Sequence, residues 1–297
     1  MRGWRWLGIG AALVTYLLVT LGGIVRITES GMGCGDDWPL CNGALIPAMD
    51  LPTFIEYSHR IVAAAVALLV AAMGLVAWRS RSNAAWRPRR RIAVWAVVLL
   101  VVQILLGAIT VWLELPPASV VLHLGTGMAL LGVLVVAACQ GLAGERVGKH
   151  LRDGAVRFAW GMTGLGLIIL LAGALVANLG AAPACQGFPL CNGDWLPARN
   201  WRIELHWLHR TLAYLFALAT FSLPILAARR RPGDMATRAS SWVVVAVAVG
   251  QVAVAAAMVL AGLPDGLRAL HVAMGAGVFA ALVAHAWLVA HPAAPTS

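Results

Sequence analysis

Charged residues are scarce in this sequence. Only 11% of its 297 residues are Asp, Glu, Lys or Arg, whereas 61% are hydrophobic. A soluble protein of this length carries about 25% charged residues, because its surface must be solvated. The shortage excludes a soluble globular domain and indicates an integral membrane protein.

Acidic residues are the scarcer of the two charged classes. Twelve acidic and 22 basic residues give a formal net charge of +10. A basic surplus can indicate a nucleic-acid-binding protein, but most of these basic residues lie in four clusters between or beside apolar runs. The clusters fall within residues 2–5, 79–91, 146–157 and 229–238. This placement is typical of the cytoplasmic loops of a membrane protein and excludes nucleic-acid binding.

Eight apolar runs are each long enough to cross the membrane, since about 20 helical residues span ~30 Å of hydrocarbon. They cover approximately residues 7–25, 59–78, 92–112, 121–141, 157–178, 207–227, 241–262 and 269–289. The sequence therefore predicts an all-α polytopic protein of the bacterial cytoplasmic membrane, with both termini and the basic loops in the cytoplasm. The first run follows Arg2 and Arg5, as in a signal peptide. It is too long and lacks a small-x-small cleavage site, so we interpret it as a retained helix.

An internal repeat relates the two halves of the chain. Residues 38–47, WPLCNGALIP, match residues 188–197, FPLCNGDWLP, at an offset of 150 positions. An even number of predicted helices separates the copies, so the two halves should be parallel repeats. We expect two pseudo-symmetric four-helix bundles, residues 1–145 and 146–297, related by an axis along the membrane normal.

Cysteine is rare, and four of the five cysteines lie in the two repeated loops. These four are Cys34, Cys41, Cys185 and Cys191. Both loops fall on the side opposite the basic clusters, which is the oxidising side in bacteria, so cysteines spaced in this way indicate two short disulfide loops. A zinc site is the alternative, but no CxxC or His–Cys spacing supports it. Cys139, in the fourth apolar run, is expected to pack in the interior.

Four of the eight histidines form pairs that the repeat relates. They are His59 with His209, at an offset of 150, and His123 with His271, at an offset of 148. Each stands in the first turn after the chain enters the membrane from the disulfide side, so we expect all four at one depth. A lone histidine at a helix end is usually an interfacial polar residue, but two that face each other in a bundle can ligate a haem iron. The glycines that would leave room for a macrocycle are Gly125, Gly127, Gly275 and Gly277.

Two further pairs of polar residues follow the repeat. Arg60 and Arg210 directly follow a matched histidine, and they either bind haem propionates or extend to the lipid headgroups. Gln103 and Gln251 lie in the middle of apolar runs and are expected to form interhelical hydrogen bonds, with a role near a cofactor as the alternative. Four histidines have no matched histidine, and three of them, His150, His285 and His291, are predicted not to be ligands.

One polar position distinguishes the two halves. Glu56 stands three residues before His59, whereas His206 occupies the matching position. The carboxylate is therefore on the same helix face as His59, one turn away. It could serve only to interact with the helix dipole. Because one half alone carries it, we interpret Glu56 as an acid–base group beside a macrocycle, able to deprotonate or orient a water molecule.

The combination of features resembles the haem A synthase family over essentially the whole chain. The shared features are the eight apolar runs, the two PLCNG loops, the ExxHR and HxxHR motifs and the pair of LHxxxG motifs. The resemblance implies that haem O binds in the N-terminal half, where its C8 methyl group is oxidised to a formyl group. It also implies that a haem B in the C-terminal half carries electrons away.

The resemblance assigns roles to individual residues. Glu56 matches the catalytic glutamate; His59 and His123 match the substrate-side histidines; His209 and His271 match the haem B ligands. The two cysteine pairs match the disulfide loops of the family. The partners that it implies are haem O, the lipid bilayer, the farnesyltransferase that makes haem O and an electron acceptor, with a homo-oligomer as a further candidate assembly.

Two other functions remain as alternatives. A bis-histidine dihaem cytochrome that relays electrons between quinone and a partner would account for the four matched histidines but would give Glu56 no role. A haem-carrying or haem-inserting protein would account for the histidines but not for two matched sites.

Overall fold

The computed structural model describes residues 2–142, 153–197 and 199–293 of the chain. His150 and much of the basic cluster at 146–157 lie outside the described residues. The regular structure within them is helical, and two short 3₁₀ turns, Ala84–Trp86 and Ala182–Ala184, accompany nine α-helices. The α-helices are α1 (Arg2–Ile27), α2 (Leu51–Arg79), α3 (Arg87–Trp112), α4 (Pro117–Leu142), α5 (Gly154–Asn178), α6 (Trp201–Thr220), α7 (Ser222–Arg230), α8 (Met235–Leu260) and α9 (Asp265–Ala290).

The prediction of eight membrane spans is confirmed. Eight helical segments in the described part of the chain are long and apolar enough to cross a membrane, and α6 and α7 together form one of them, Trp201–Arg230. This span breaks at Phe221 because Pro224 has no backbone N–H to donate to the carbonyl of Thr220, and its ring crowds that carbonyl. The protein is a multi-pass membrane protein.

Side-chain caps fix where several helices begin. Asp50 accepts a hydrogen bond from the backbone N–H of Thr53 and so caps α2, and hydrogen bonds from Thr53 hold the pKa of Asp50 below its usual value. Asn200 and Asp234 cap α6 and α8 in the same way. Each cap satisfies a backbone donor that the first turn of a helix leaves unpaired.

The chain divides into two compact units, Met1–Leu142 and Ala143–Ser297. In the first unit, α1 packs against α2 and α4, and α3 packs against the same two helices. The buried core of this unit includes Trp4, Val66, Met73 and Leu134. Since these residues lie toward the start of α1 and in the second halves of α2 and α4, this buried core lies in the part of the unit away from residues 28–50.

The second unit has the same order of neighbours. Its helix α5 packs against α6 and α9, while α8 packs against α6, α7 and α9. The buried core includes Ile169, Phe216, Val244 and Leu282. The symmetry axis expected between the two units stays a prediction.

Candidate functional site

Both predicted disulfides are present. Cys34 is bonded to Cys41, and Cys185 to Cys191. We call residues 34–41 and 185–191 the first and second disulfide loops. Cys139 is half-buried and belongs to neither disulfide. Each loop runs into an Asn-Gly turn, at Asn42 and Asn192, in which the asparagine and the following glycine have a positive φ, as this dipeptide favours.

A buried ion pair fastens the first disulfide loop to α2. Glu56 is only 4% exposed, and its Oε2 accepts a hydrogen bond from the backbone N–H of Cys34 over 2.8 Å. Its Oε1 accepts hydrogen bonds from Arg60 Nη2 at 2.6 Å and Arg60 Nε at 3.1 Å. Arg60 Nη1 in turn donates to the carbonyl oxygen of Leu40 at 2.7 Å. Both ends of the loop are thus bound to side chains from the first three turns of α2.

Arg210 fastens the second disulfide loop to α6, and its side-chain partner is the imidazole of His206 instead of a carboxylate. Arg210 Nη1 donates to the carbonyl oxygens of Gly187 and Leu190 at 2.9 and 3.2 Å, and its Nη2 donates to the carbonyl of Cys185. Arg210 Nε donates to His206 Nε2 at 3.2 Å. Because Nε2 accepts, His206 Nδ1 carries a proton and faces the carbonyl of Ala181 at 3.2 Å.

The roles of Arg60 and Arg210 in the loops were not foreseen from the sequence. The spacing of four residues between Glu56 and Arg60 was a visible signal for an intrahelical ion pair. The loop carbonyls that both arginines bind depend on the path of the loops and leave no mark in the sequence. The predicted contacts of the two arginines with haem propionates stay predictions.

In the first unit, each matched histidine lies against a glycine of a neighbouring helix. A Cβ atom on Gly22 of α1 would stand 3.1 Å from His59 Cε1, and one on Gly107 of α3 would stand 3.2 Å from His123 Cε1. The Nδ1 atoms of both histidines are buried and have no hydrogen-bond partner among the described residues.

The second unit repeats much of this arrangement. A Cβ atom on Gly173 of α5 would stand only 2.8 Å from His209 Cε1, so the ring needs the glycine there. The Nδ1 atom of His209 is buried, again without a hydrogen-bond partner in the described part of the unit.

The two glutamines form the predicted interhelical hydrogen bonds, and each does so with a matched histidine. Gln103 Nε2 on α3 lies 3.1 Å from His123 Nε2 on α4. Gln251 Nε2 on α8 lies 3.1 Å from His271 Nδ1 on α9. Two of the glycines singled out in the sequence lie against the glutamines. A Cβ atom on Gly127 would stand 3.1 Å from Gln103 Nε2, and one on Gly275 would stand 3.4 Å from Gln251 Nε2.

Two histidines predicted not to be ligands have other contacts. His285 is buried on α9, with its Nδ1 2.9 Å from Ser240 Oγ. His291 stacks on Trp287, with 4.5 Å between the ring centroids. Neither contact involves a matched histidine. The structure gives no reason to add either residue to the site.

The site residues fit a haem in each unit better than a metal ion held by protein alone. No group of three or more His, Cys, Asp or Glu side chains within the described ranges could hold a metal ion. Each unit offers two matched histidines, and three of the four, His59, His123 and His209, have a buried Nδ1 without a hydrogen-bond partner among the described residues and a glycine of a neighbouring helix against the ring. Two axial imidazoles are a complete protein ligand set for iron when a macrocycle supplies the other four nitrogens. Fold and site define a helical membrane protein with two histidine pairs suited to haem.

The sequence profile of the COX15-CtaA family, described as cytochrome oxidase assembly proteins, matches residues 5–52 and 49–283. Because the match covers most of the chain, this protein belongs to that family.

Similar proteins support the same family over most of their own length. A heme A synthase of Exiguobacterium sibiricum is 33% identical over 236 residues, which are 76% of this chain and 76% of the relative. A heme A synthase of Shouchella clausii is 31% identical over 269 residues, 87% of each chain. A heme A synthase of Symbiobacterium thermophilum is 29% identical over 82% of this chain and 81% of its own.

Proposed function

We propose that this protein is a haem A synthase, an oxidoreductase that converts the C8 methyl group of haem O into the formyl group of haem A. The observation that carries the proposal is the similarity to relatives named heme A synthase, which extends over 76% to 87% of the chain. Eight membrane spans and two disulfides agree with it. A dihaem cytochrome without synthase activity is not favoured by these relatives.

We propose that the two units divide the work. Haem O, the substrate, would be held by His59 and His123 in the N-terminal unit, and haem B by His209 and His271 in the C-terminal unit. When bound, haem B would supply one-electron transfer, which takes electrons away from the substrate site. The support for this division is the carboxylate of Glu56, which has no counterpart in the second unit.

Glu56 would act as the proton acceptor of the substrate site. Its Oε1 already accepts two hydrogen bonds from Arg60, whereas its Oε2 accepts one, from the backbone of Cys34. A carboxylate oxygen has two lone pairs, so Oε2 retains the capacity to accept a proton from water or substrate. Arg60 and the first disulfide loop would keep the carboxylate oriented, which removes the cost of ordering it during the reaction.

We propose that the protein is located in the bacterial cytoplasmic membrane, with both termini in the cytoplasm and the disulfide loops on the outer side. The basic clusters at 79–91 and 229–238 lie at the helix ends opposite the loops, as the positive-inside rule requires. Disulfides are stable on the oxidising side of that membrane. The proposed partners are a farnesyltransferase that delivers haem O, an electron acceptor, and a second copy of the chain.

Extraction of the pigments from the purified protein tests the proposal. We expect haem B together with haem O or haem A, identified by chromatography and mass. Haem B alone, from cells that also make haem O, would favour the cytochrome. A protein that carries a single haem would contradict the two-site arrangement.

A further inference from the structure

We propose that a short apolar segment after each disulfide loop inserts into the lipid layer in which headgroups meet acyl chains. We call Leu45–Ile46 the first tip and Trp195–Leu196 the second tip; they occupy matching positions of the repeat, 150 residues apart. Each tip would bind lipid on the side of the membrane that carries the disulfide loops. This inference goes beyond the proposed function and does not depend on synthase activity.

The two tips carry the most exposed large apolar side chains of the described residues. Leu45 and Ile46 are 79% and 80% exposed, and Trp195 and Leu196 are 76% and 81% exposed. Their surroundings in the sequence are also apolar, because residues 44–49, ALIPAM, and 195–198, WLPA, include no charged residue. Exposed apolar surface of this kind marks an interaction surface or a membrane surface.

A hydrogen bond holds each tip against the side of the helix that follows it. Tyr57 Oη on α2 donates to the carbonyl oxygen of Leu45, and Trp207 Nε1 on α6 donates to the carbonyl oxygen of Trp195, both over 2.8 Å. Tyr57 and Trp207 also match at the offset of 150, and each is the seventh residue of its helix. The same placement is therefore built twice, with a different donor side chain in each unit.

The length of α2 places the first tip at the edge of the hydrocarbon. The helix has 29 residues, so it is ~44 Å long at ~1.5 Å per residue. Since the hydrocarbon core is ~30 Å thick, about 7 Å at each end of a centred helix lies in the headgroup layer. Tyr57 lies ~9 Å from the helix start, and its side chain leans back toward that start. The tip is thus held where headgroups meet acyl chains.

The first tip also continues the lipid-facing surface of α2. Exposed apolar side chains recur every seven residues along this helix, at Phe54, Ile61, Leu68 and Leu75. Residues three, four and seven apart share one helix face, and on a membrane span an exposed apolar face contacts lipid. Tyr57 is three residues after Phe54 and four before Ile61, so it lies on this face. The segment that it binds is therefore next to lipid.

The second tip has a similar environment. Its span, Trp201–Arg230, has 30 residues, nearly the length of α2. Trp207 directly precedes Leu208, which is exposed on α6 together with Leu215 seven residues later. The second tip adds a tryptophan, the residue that is enriched where membrane proteins meet the interface. A lipid layer accounts for both tips at once, whereas a protein partner would have to recognise two different sequences.

Electron paramagnetic resonance tests the insertion directly. Cys139 is replaced by alanine, and a nitroxide label is attached to a new cysteine in Ile46→Cys or Leu196→Cys. The full-length protein is reconstituted in vesicles of phosphatidylethanolamine and phosphatidylglycerol. Asp37→Cys, at an exposed position of the first disulfide loop, is the control in water, and Leu68→Cys is the control in hydrocarbon. Power saturation compares collisions of the label with oxygen, which concentrates in lipid, and with a nickel chelate, which stays in water.

We expect labels at both tips to collide more with oxygen and less with nickel than the label at Asp37→Cys. Their depth should be shallower than that of the label at Leu68→Cys. Nickel collisions as frequent as at Asp37→Cys would place the tips in water and overturn the proposal. Protection from both reagents would mean that a protein partner or a second copy covers the tips, which would also overturn it. The two tips belong to different units, so a folding defect in one variant, seen as aggregation on gel filtration, leaves the other to decide.

Discussion

Replacement of Glu56 by glutamine distinguishes a catalytic role of this carboxylate from a purely structural one. In the wild-type protein the carboxylate binds Arg60 and the backbone N–H of Cys34 and is 4% exposed. Glutamine has the same size and nearly the same helix propensity, so α2 should still form. Its single carbonyl oxygen can retain one of the two contacts, and its NH₂ group then faces a donor.

The structural cost of Glu56→Gln follows from these contacts. One buried donor is left unsatisfied and the charge of Arg60 loses its partner, which together cost about 1–3 kcal/mol. The Arg60 side chain is 17% exposed, so solvent can compensate part of this loss. The disulfide Cys34–Cys41 still closes the loop. The variant should therefore fold and insert with a measurably lower thermal midpoint, rather than fail to accumulate.

The catalytic cost should be larger and selective. Loss of a general base reduces a rate by about 100- to 10,000-fold. We expect Glu56→Gln to retain haem B and bound haem O and to form little haem A, measured by haem extraction from cells that make haem O. The matched control is His206→Gln, because glutamine can accept from Arg210 and donate to Ala181 as His206 does. If Glu56→Gln converted haem O at near the wild-type rate, the carboxylate would not be a general base, and its role would be limited to holding the first disulfide loop.

Two further predictions follow from the site. His209→Ala or His271→Ala should remove the haem B signal from the optical spectrum of the purified protein. His59→Ala or His123→Ala should retain that signal and abolish the conversion of haem O. The reverse pattern would exchange the roles of the two units. Thiol labelling of the denatured protein without reductant should modify one cysteine per chain, Cys139, because the other four are in disulfides. Five labelled cysteines would show that the loops are reduced in the isolated protein.

The membrane spans and the disulfides were predictable because each leaves a local signal. Apolar runs of about 20 residues mark spans directly, and cysteines six and seven residues apart in two repeated loops mark the disulfides. The break at Phe221 was also visible in principle, through Pro224. It was not predicted because proline is tolerated inside membrane helices when neighbouring groups satisfy the backbone, and hydropathy alone does not detect the interruption.

The contacts within the site were less predictable, since they depend on which helices are neighbours. The matched histidines could be found from the repeat, but not the glycines that face them, Gly22, Gly107 and Gly173, which belong to other helices. The interhelical role of Gln103 was expected from its place in an apolar run. Its partner, His123, required the packing of α3 against α4.

The most direct test of the proposed function is the conversion itself. The protein is produced in a host that makes haem O but no haem A. The extracted haems are separated by chromatography and identified by mass spectrometry. We expect a new haem in which the C8 methyl group has become a formyl group, and we expect this haem to be absent when the host produces Glu56→Gln. If only haem O and haem B were extracted from cells in which the protein is inserted and carries haem, the proposed synthase function would be contradicted.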